Sequence, residues 1–162
     1  MFSRRSLVVV LAMMVAAPAR AHGPQGMSGG KLGDPAKATR TVEVVATENA
    51  FSIKSLEVRD GETIRFILRN DGMDPHEFLI GTKAEHAEHL KMMRAMMEAQ
   101  KKPGGVHSHS GPMMDHASGV MVAPGKTATF VWTFARTADL EFACDIPGHY
   151  EDGMRGPITF VR

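Results

Sequence analysis

Three absences narrow the function of this 162-residue sequence. It has a single cysteine, so it can form neither an internal disulfide nor a cysteine-rich zinc module. It has no block of basic residues and a formal net charge of +1, which argues against nucleic acid as its main partner. No stretch approaches 18 consecutive apolar residues, so no transmembrane helix is predicted. A composition of 43% hydrophobic and 23% charged residues is typical of one globular domain.

The first 21 residues predict export. Arg4 and Arg5 precede a short apolar run over residues 7–17, and Ala19-Arg20-Ala21 matches a signal-peptide cleavage site. We therefore expect cleavage after residue 21, a periplasmic location and no insertion of the mature chain into a membrane. A retained N-terminal anchor is the alternative. The partial twin-arginine pattern leaves the export route open.

Alternating apolar residues predict a β-protein from residue 40 onward. A Gly-rich polar stretch over residues 22–39 precedes them and is expected to be flexible. Residues 62–69 and 127–134 each place their large apolar side chains on one face, and turn residues such as Asp60-Gly61 and Pro124-Gly125 separate the runs. Short strands divided in this way predict an antiparallel β-sandwich over residues 40–162.

One segment departs from the strand pattern. Residues 83–100 contain no Gly, Pro or β-branched residue and are rich in good helix formers, and Pro103-Gly104-Gly105 follows them. The sequence therefore predicts a helix inserted between strands, followed by a loop over residues 103–119.

The strongest chemical signal is a C-x4-H-x4-M spacing at Cys144, His149 and Met154. The three side chains lie on one Gly- and Pro-rich loop between two predicted strands, where they can converge on one ion. Thiolate and thioether are soft ligands that favour copper, and a type-1 copper site has one Cys, two His and a weak Met. His76, after the turn that follows residue 69, is the candidate second histidine. A buried structural cysteine and a zinc site are the alternatives.

At these residues the sequence resembles the cupredoxin family. The stretches that carry the resemblance are residues 58–80, which contain NDGMDPHEFLI, and residues 123–161, which contain EFACDIPGHYEDGM, and the resemblance as a whole covers about residues 40–80 and 118–162. It implies an all-β Greek-key sandwich and one type-1 copper held by His76, Cys144, His149 and Met154. Glu77 departs from the family pattern, because many members carry Asn or Ser there. The second departure is an insertion at residues 81–117, as in the periplasmic copper-tolerance members of the family.

The insertion is unusually rich in copper-binding residue types. It holds five His and six Met in 37 residues. At 100° per residue, one helical stripe carries His86, His89, Met93, Met96 and Met97, together with Leu90. This stripe predicts either a secondary copper site or ordinary core packing. Further candidates for weak copper binding are His107, His109, Met113, Met114 and His116 in the loop, and His22 at the mature N-terminus.

Two functions are compatible with these features. The sequence favours a periplasmic copper protein that binds, buffers or oxidises copper in tolerance and homeostasis, because the His- and Met-rich insertion has no evident use in a simple carrier. The alternative is a soluble one-electron carrier. The expected partners are copper ions and a periplasmic redox or copper-handling protein. We expect no catalytic residues, since about 120 folded residues hold a single domain and no nucleophile–base pair is apparent.

Overall fold

The computed structural model describes residues 28–101 and 118–162, and these form two five-stranded sheets and one helix. Helix α1 spans Lys83–Gln100, and a single 3-10 turn covers Pro35–Lys37. The strands are β1 (Gly30–Leu32), β2 (Arg40–Thr47), β3 (Ala50–Phe51), β4 (Leu56–Val58), β5 (Thr63–Asn70), β6 (His76–Thr82), β7 (Gly119–Val122), β8 (Thr127–Phe134), β9 (Leu140–Ala143) and β10 (Arg155–Phe160). The predicted signal peptide and most of the His- and Met-rich loop lie outside the described residues.

The two sheets enclose one aromatic core. Their strand orders are β1-β8-β5-β2-β3 and β4-β10-β9-β6-β7. Buried rings from both sheets meet between them, and Phe66 stacks on Phe130 while Phe78 stacks on Phe142. Alternate residues of β5, β6, β8 and β9 supply this core, as expected when two sheets pack face to face. The predicted all-β sandwich with an inserted helix is confirmed.

The strand pairing is mixed, whereas the residue pattern led us to expect antiparallel pairs throughout. β2 pairs with β5 in parallel, and β4 pairs with β10 in parallel. After β2 and β3 the chain crosses to the second sheet to form β4 and then returns to the first sheet as β5. This return brings β5 alongside β2 in the same direction. The alternation of residues reports which side chains are buried but carries no information on strand direction.

Part of the predicted flexible lead-in has regular secondary structure among the residues that the structure describes. Gly30–Leu32 adds a strand to the edge of β8, and the Trp132 indole N–H donates a hydrogen bond to the Gly29 carbonyl. A Cβ atom at Gly30 would lie 2.2 Å from the Thr133 carbonyl oxygen. The glycines therefore allow a close backbone approach at this edge, where the composition alone indicated only mobility.

Helix α1 has the predicted bounds and a well-defined start. The Thr82 hydroxyl accepts the Glu85 N–H, and the Glu85 carboxylate accepts the Thr82 N–H, which forms a capping box. The helix packs on β6 and β9 and covers their outer face, and its own residue Leu90 is buried in this contact. β6 and β7 pair with each other, so the insertion is a long excursion between two neighbouring strands. Among the described residues, no helix is long and apolar enough to cross a bilayer.

Candidate metal centre

Three of the predicted ligands meet at one end of the sandwich. His76 is the first residue of β6, Cys144 directly follows β9, and His149 lies in the loop that leads to β10. One ligand atom from each lies within 4.8 Å of the other two. The Cys144 Sγ is 3.5 Å from His149 Nδ1, and the centroids of the His76 and His149 rings are 4.9 Å apart. A histidine that lies far upstream of the cysteine in the sequence is thus brought beside it.

Backbone hydrogen bonds close the loop that carries the predicted ligands His149 and Met154. The Cys144 N–H donates to the Met154 carbonyl at 3.0 Å, and the Met154 N–H donates to the His149 carbonyl at 2.9 Å. Gly148 and Gly153 have φ values of 101° and 94°, a region that glycine adopts without strain. The Met154 side chain is fully buried and belongs to the core cluster. The fold therefore anchors Met154 next to Cys144, and its role as a thioether ligand stays a prediction.

His76 has the environment of a ligand rather than of a core histidine. Its ring is fully buried, and neither ring nitrogen has a hydrogen-bond partner among the described residues. A buried polar group without a partner is destabilising, so nearly all such groups in folded proteins are satisfied. Burial, followed by the charge of His149, lowers the pKa of His76, which favours the neutral imidazole that a metal requires.

A tight turn makes room for this imidazole. Buried Asn70 donates from Nδ2 to the carbonyls of Asp74 and Val122, and its Oδ1 accepts the Gly72 N–H at 2.9 Å. A Cβ atom at Gly72 would lie 3.1 Å from His76 Nε2, closer than side chains normally approach. Asn70 therefore fixes the turn, and Gly72 leaves the space that the His76 ring occupies.

The thiol of Cys144 is buried and neutral in this environment. Burial raises the pKa of Cys144 to about 12, although backbone N–H groups act in the opposite direction. One of these is the Glu77 N–H, which donates to Sγ at 3.4 Å. A cation is therefore needed to favour the thiolate here. Two imidazoles, one thiol and an adjacent thioether are a donor set that fits copper.

The structure gives His86 and His89 a different environment from the predicted copper stripe. His86 is fully buried, with Nδ1 2.9 Å from Asp145 Oδ2 and Nε2 3.4 Å from the Glu141 carbonyl. His89 is also buried, with Nδ1 3.0 Å from the same Asp145 oxygen. Protein groups therefore lie within hydrogen-bond distance of both ring nitrogens of His86, which favours the packing alternative for this half of the helix. The role of His86 and His89 as secondary copper ligands stays a prediction.

The second half of α1 remains open to solvent. Met93 is half-buried, whereas Met92, Met96 and Met97 are exposed. Their role in copper binding stays a prediction. Outside the described residues lie the candidates His22, His107, His109, Met113, Met114 and His116.

One residue of this region, Asp145, was not predicted from the sequence. Burial alone would raise the pKa of Asp145, but hydrogen bonds and charge from His86 and His89 lower it. Burial alone would also lower the pKa of His86, and Asp145 raises it instead. Both groups therefore favour their charged forms. The available signal was an acidic residue beside a predicted ligand, together with two His at i and i+3 of one helix, but spacing alone does not show that these groups meet.

Comparison with known proteins supports the same fold and a role in copper biology for its relatives. Residues 6–123 match the model of the cupredoxin-like domain family. The copper-resistant cuproprotein CopI of Pseudomonas aeruginosa is 42% identical over an alignment that covers 98% of each chain. The copper-resistant cuproprotein CopI of Rubrivivax gelatinosus is also 42% identical, over 80% of this chain and 72% of that protein.

Solved structures support the same fold at lower sequence identity. Auracyanin B superposes with a TM-score of 0.62 and 21% identity, covering 83% of this chain and 97% of that one. The azurin Az-iso2 of Methylomonas sp. strain J gives a TM-score of 0.53 and 18% identity, covering 77% of this chain and all of that one.

Proposed function

The chain belongs to the cupredoxin-like family, and on that premise we propose that it is a periplasmic copper protein of copper resistance. In this proposal His76, Cys144, His149 and Met154 hold one type-1 copper. Copper bound there supplies one-electron chemistry, because thiolate and imidazole ligands together suit both of its oxidation states. The protein's own residues exclude water, orient the donor atoms and keep His76 neutral.

The environment of His76 is the observation that carries this proposal. Its buried ring nitrogens have no hydrogen-bond partner among the described residues, and the ring faces a buried thiol and a second imidazole. A metal ligated by these side chains would satisfy a buried nitrogen and compensate a thiolate at the same time. Half-buried His149 would complete the set at the protein surface.

A role in copper resistance rests on the relatives and on the insertion. The two relatives that are 42% identical to this chain over their aligned residues are copper-resistant cuproproteins. The insertion adds six methionines and five histidines, of which all but the buried pair on α1 stay available to the proposal as weak copper ligands. The predicted signal peptide would place the type-1 site and the insertion in the periplasm, where the protein would bind or buffer copper.

A copper titration of the mature chain, residues 22–162, tests the proposal. We expect a strong thiolate-to-copper absorption band that saturates at one equivalent, with further copper bound afterwards without colour. If bound copper and colour both saturate at one equivalent, the electron-carrier function is favoured instead. If no band appears, Cys144 is not a Cu(II) ligand and the proposed site is wrong; a zinc site would give this colourless result.

Substitutions assign the band to the proposed ligands. Cys144→Ala should abolish it completely, since the thiolate is the electron donor of the transition. His107→Ala and Met113→Ala serve as controls, because they remove candidate weak ligands only and should leave the band unchanged. A Cys144→Ala protein that keeps the colour would contradict the proposal.

A further inference from the structure

Helix α1 contacts the loop that carries Cys144 and His149 through one buried carboxylate, that of Asp145. His86 Nδ1 lies 3.0 and 2.9 Å from the two oxygens of Asp145, and His89 Nδ1 lies 3.0 Å from Oδ2. The Asp145 and His86 side chains have no solvent exposure, and the His89 side chain is 7% exposed. We call this group the His–Asp–His clamp. Its central residue is joined by one peptide bond to the ligand Cys144.

The clamp lies on the opposite side of the chain from the Cys144 side chain. Cys144 faces the sandwich core and His149, whereas the next side chain faces helix α1. Two other contacts fix the cysteine itself: the Glu77 N–H donates to Sγ, and the Cys144 N–H donates to the Met154 carbonyl. Asp145 provides a third anchor, and of these three it is the one that depends on the insertion.

Further contacts join the same helix and the same loop. The Arg94 guanidinium pairs with Glu151, and Glu151 accepts the Gly148 N–H at 2.8 Å. The Tyr150 hydroxyl donates to buried Glu141, whose carbonyl lies near His86 Nε2. The helix therefore contacts the ligand loop on both sides of His149.

Packing alone does not explain this choice of residues. Burying an ion pair is expensive, and apolar residues of similar volume often stabilise a protein as well or better. Two histidines on one carboxylate also fix its orientation, because each hydrogen bond restricts both the distance and the angle of the carboxylate. Residues that do not bind the metal but support its ligands orient those ligands, and removal of such a supporting residue typically weakens metal binding by about 10- to 100-fold.

We propose that His86 and His89 are positioning residues for the copper site: they hold Asp145, and through it they fix the orientation of Cys144. This inference rests on the proposed type-1 site and extends it, because it makes the spectrum and reduction potential of that site depend on the insertion. The insertion would thus be mechanically part of the metal centre, in addition to any copper that its exposed residues bind.

The test compares three substitutions in the copper-loaded protein, expressed with its full sequence and matured by the cell. His86→Ala removes one arm of the clamp. His86→Asn keeps a side-chain amide near the position of Nδ1. Thr82→Ala weakens the capping box and loosens the helix start without touching Asp145. Absorption, electron paramagnetic resonance, reduction potential and copper affinity are measured for each variant and for the unsubstituted protein.

We expect His86→Ala to retain one coloured copper, with a shifted thiolate band, a shifted potential and an affinity lower by about 10- to 100-fold. His86→Asn should restore most of each shift. Thr82→Ala should lower the melting temperature and leave the spectrum and potential unchanged. Should His86→Ala fail to fold, His89→Ala makes the same comparison, because it leaves the His86 arm in place.

Two results would overturn the inference while leaving the proposed function intact. One is a His86→Ala or His89→Ala protein whose spectrum, potential and affinity equal those of the unsubstituted chain. The other is a Thr82→Ala protein that shows the same spectral shift, since any loosening of the helix would then suffice. Failure of the unsubstituted chain to give a coloured copper form would instead overturn the proposed function, and the inference with it.

Discussion

Two pairs of histidines flank the Cys144-Asp145 dipeptide, and they are used in opposite ways. His76 and His149 face the cysteine sulfur, and the buried nitrogens of His76 have no hydrogen-bond partner among the described residues. His86 and His89 face the carboxylate, with Nδ1 of each at 3.0 Å or less from Asp145. The two pairs thus contact neighbouring side chains of different chemistry, a thiol and a carboxylate.

In the first pair the protein leaves the His76 ring nitrogens without hydrogen-bond partners among the described residues, whereas in the second pair it supplies a carboxylate partner to both histidines. A buried imidazole without partners destabilises the folded chain, and it is tolerated where a metal later satisfies it. A buried carboxylate that loses its imidazole partners becomes an uncompensated buried charge, so removal of those partners is strongly destabilising. We therefore expect His76 to lower the stability of the metal-free protein, and we expect the loss of His86 and His89 to lower it as well, because Asp145 would remain buried without them.

The largest effect is expected from removing the closed pair, His86 and His89. The double substitution His86→Leu/His89→Leu takes both histidine partners from buried Asp145, which should lower the free energy of unfolding by about 3–5 kcal/mol. Chemical denaturation of the metal-free protein measures this loss. Met92→Leu/Met96→Leu on the exposed part of the same helix is the control and should change stability by less than about 0.5 kcal/mol. A double variant that loses less than about 1 kcal/mol would contradict the view that the closed pair is structural.

A smaller effect of opposite sign is expected from the open pair, His76 and His149. His76→Leu removes two buried nitrogens that lack partners, so the metal-free protein should become more stable, by about 1–2 kcal/mol. The same variant should lose the coloured copper form. Denaturation without metal and absorption with copper give the two halves of this result. A clear loss of metal-free stability would show that His76 has a structural role that its unpartnered nitrogens do not indicate.

The same contrast marks how far the sequence alone could reach. The alternation of residues predicted the β-sandwich, the run of helix formers predicted the helix, and the C-x4-H-x4-M spacing predicted a loop on which Cys144 and His149 do converge. The predicted helical stripe grouped His86 with Met97, although His86 is buried and Met97 is 44% exposed. A residue pattern shows which side chains share a face, but it does not show which partner covers that face. Asp145, the residue whose carboxylate contacts His86, lies 59 residues away along the chain.

Strand direction and the glycine-rich edge escaped prediction for a related reason. The parallel pairing of β2 with β5 depends on where the chain crosses between sheets, which short strands such as β3 and β4 determine. These strands have two and three residues, too few to show a period. The glycine-rich stretch predicts mobility from its composition, because a close approach of Gly30 to the distant Thr133 backbone leaves no local pattern in the sequence.

The smallest expected effect is the pH dependence of the closed pair. Asp145 raises the pKa of His86 above 6.5, so the folded state holds a proton that the unfolded state releases first as pH rises. The stabilisation by His86 should therefore be complete below about pH 6.5 and decrease as pH rises through the raised pKa. Part of it should persist, because a neutral imidazole still donates a hydrogen bond to Asp145. The difference in unfolding free energy between the unsubstituted chain and His86→Leu, both metal-free, should thus shrink between about pH 6 and about pH 9. A difference that grows over this range would show that His86 is neutral in the folded protein and that the clamp is a hydrogen bond without an ion pair.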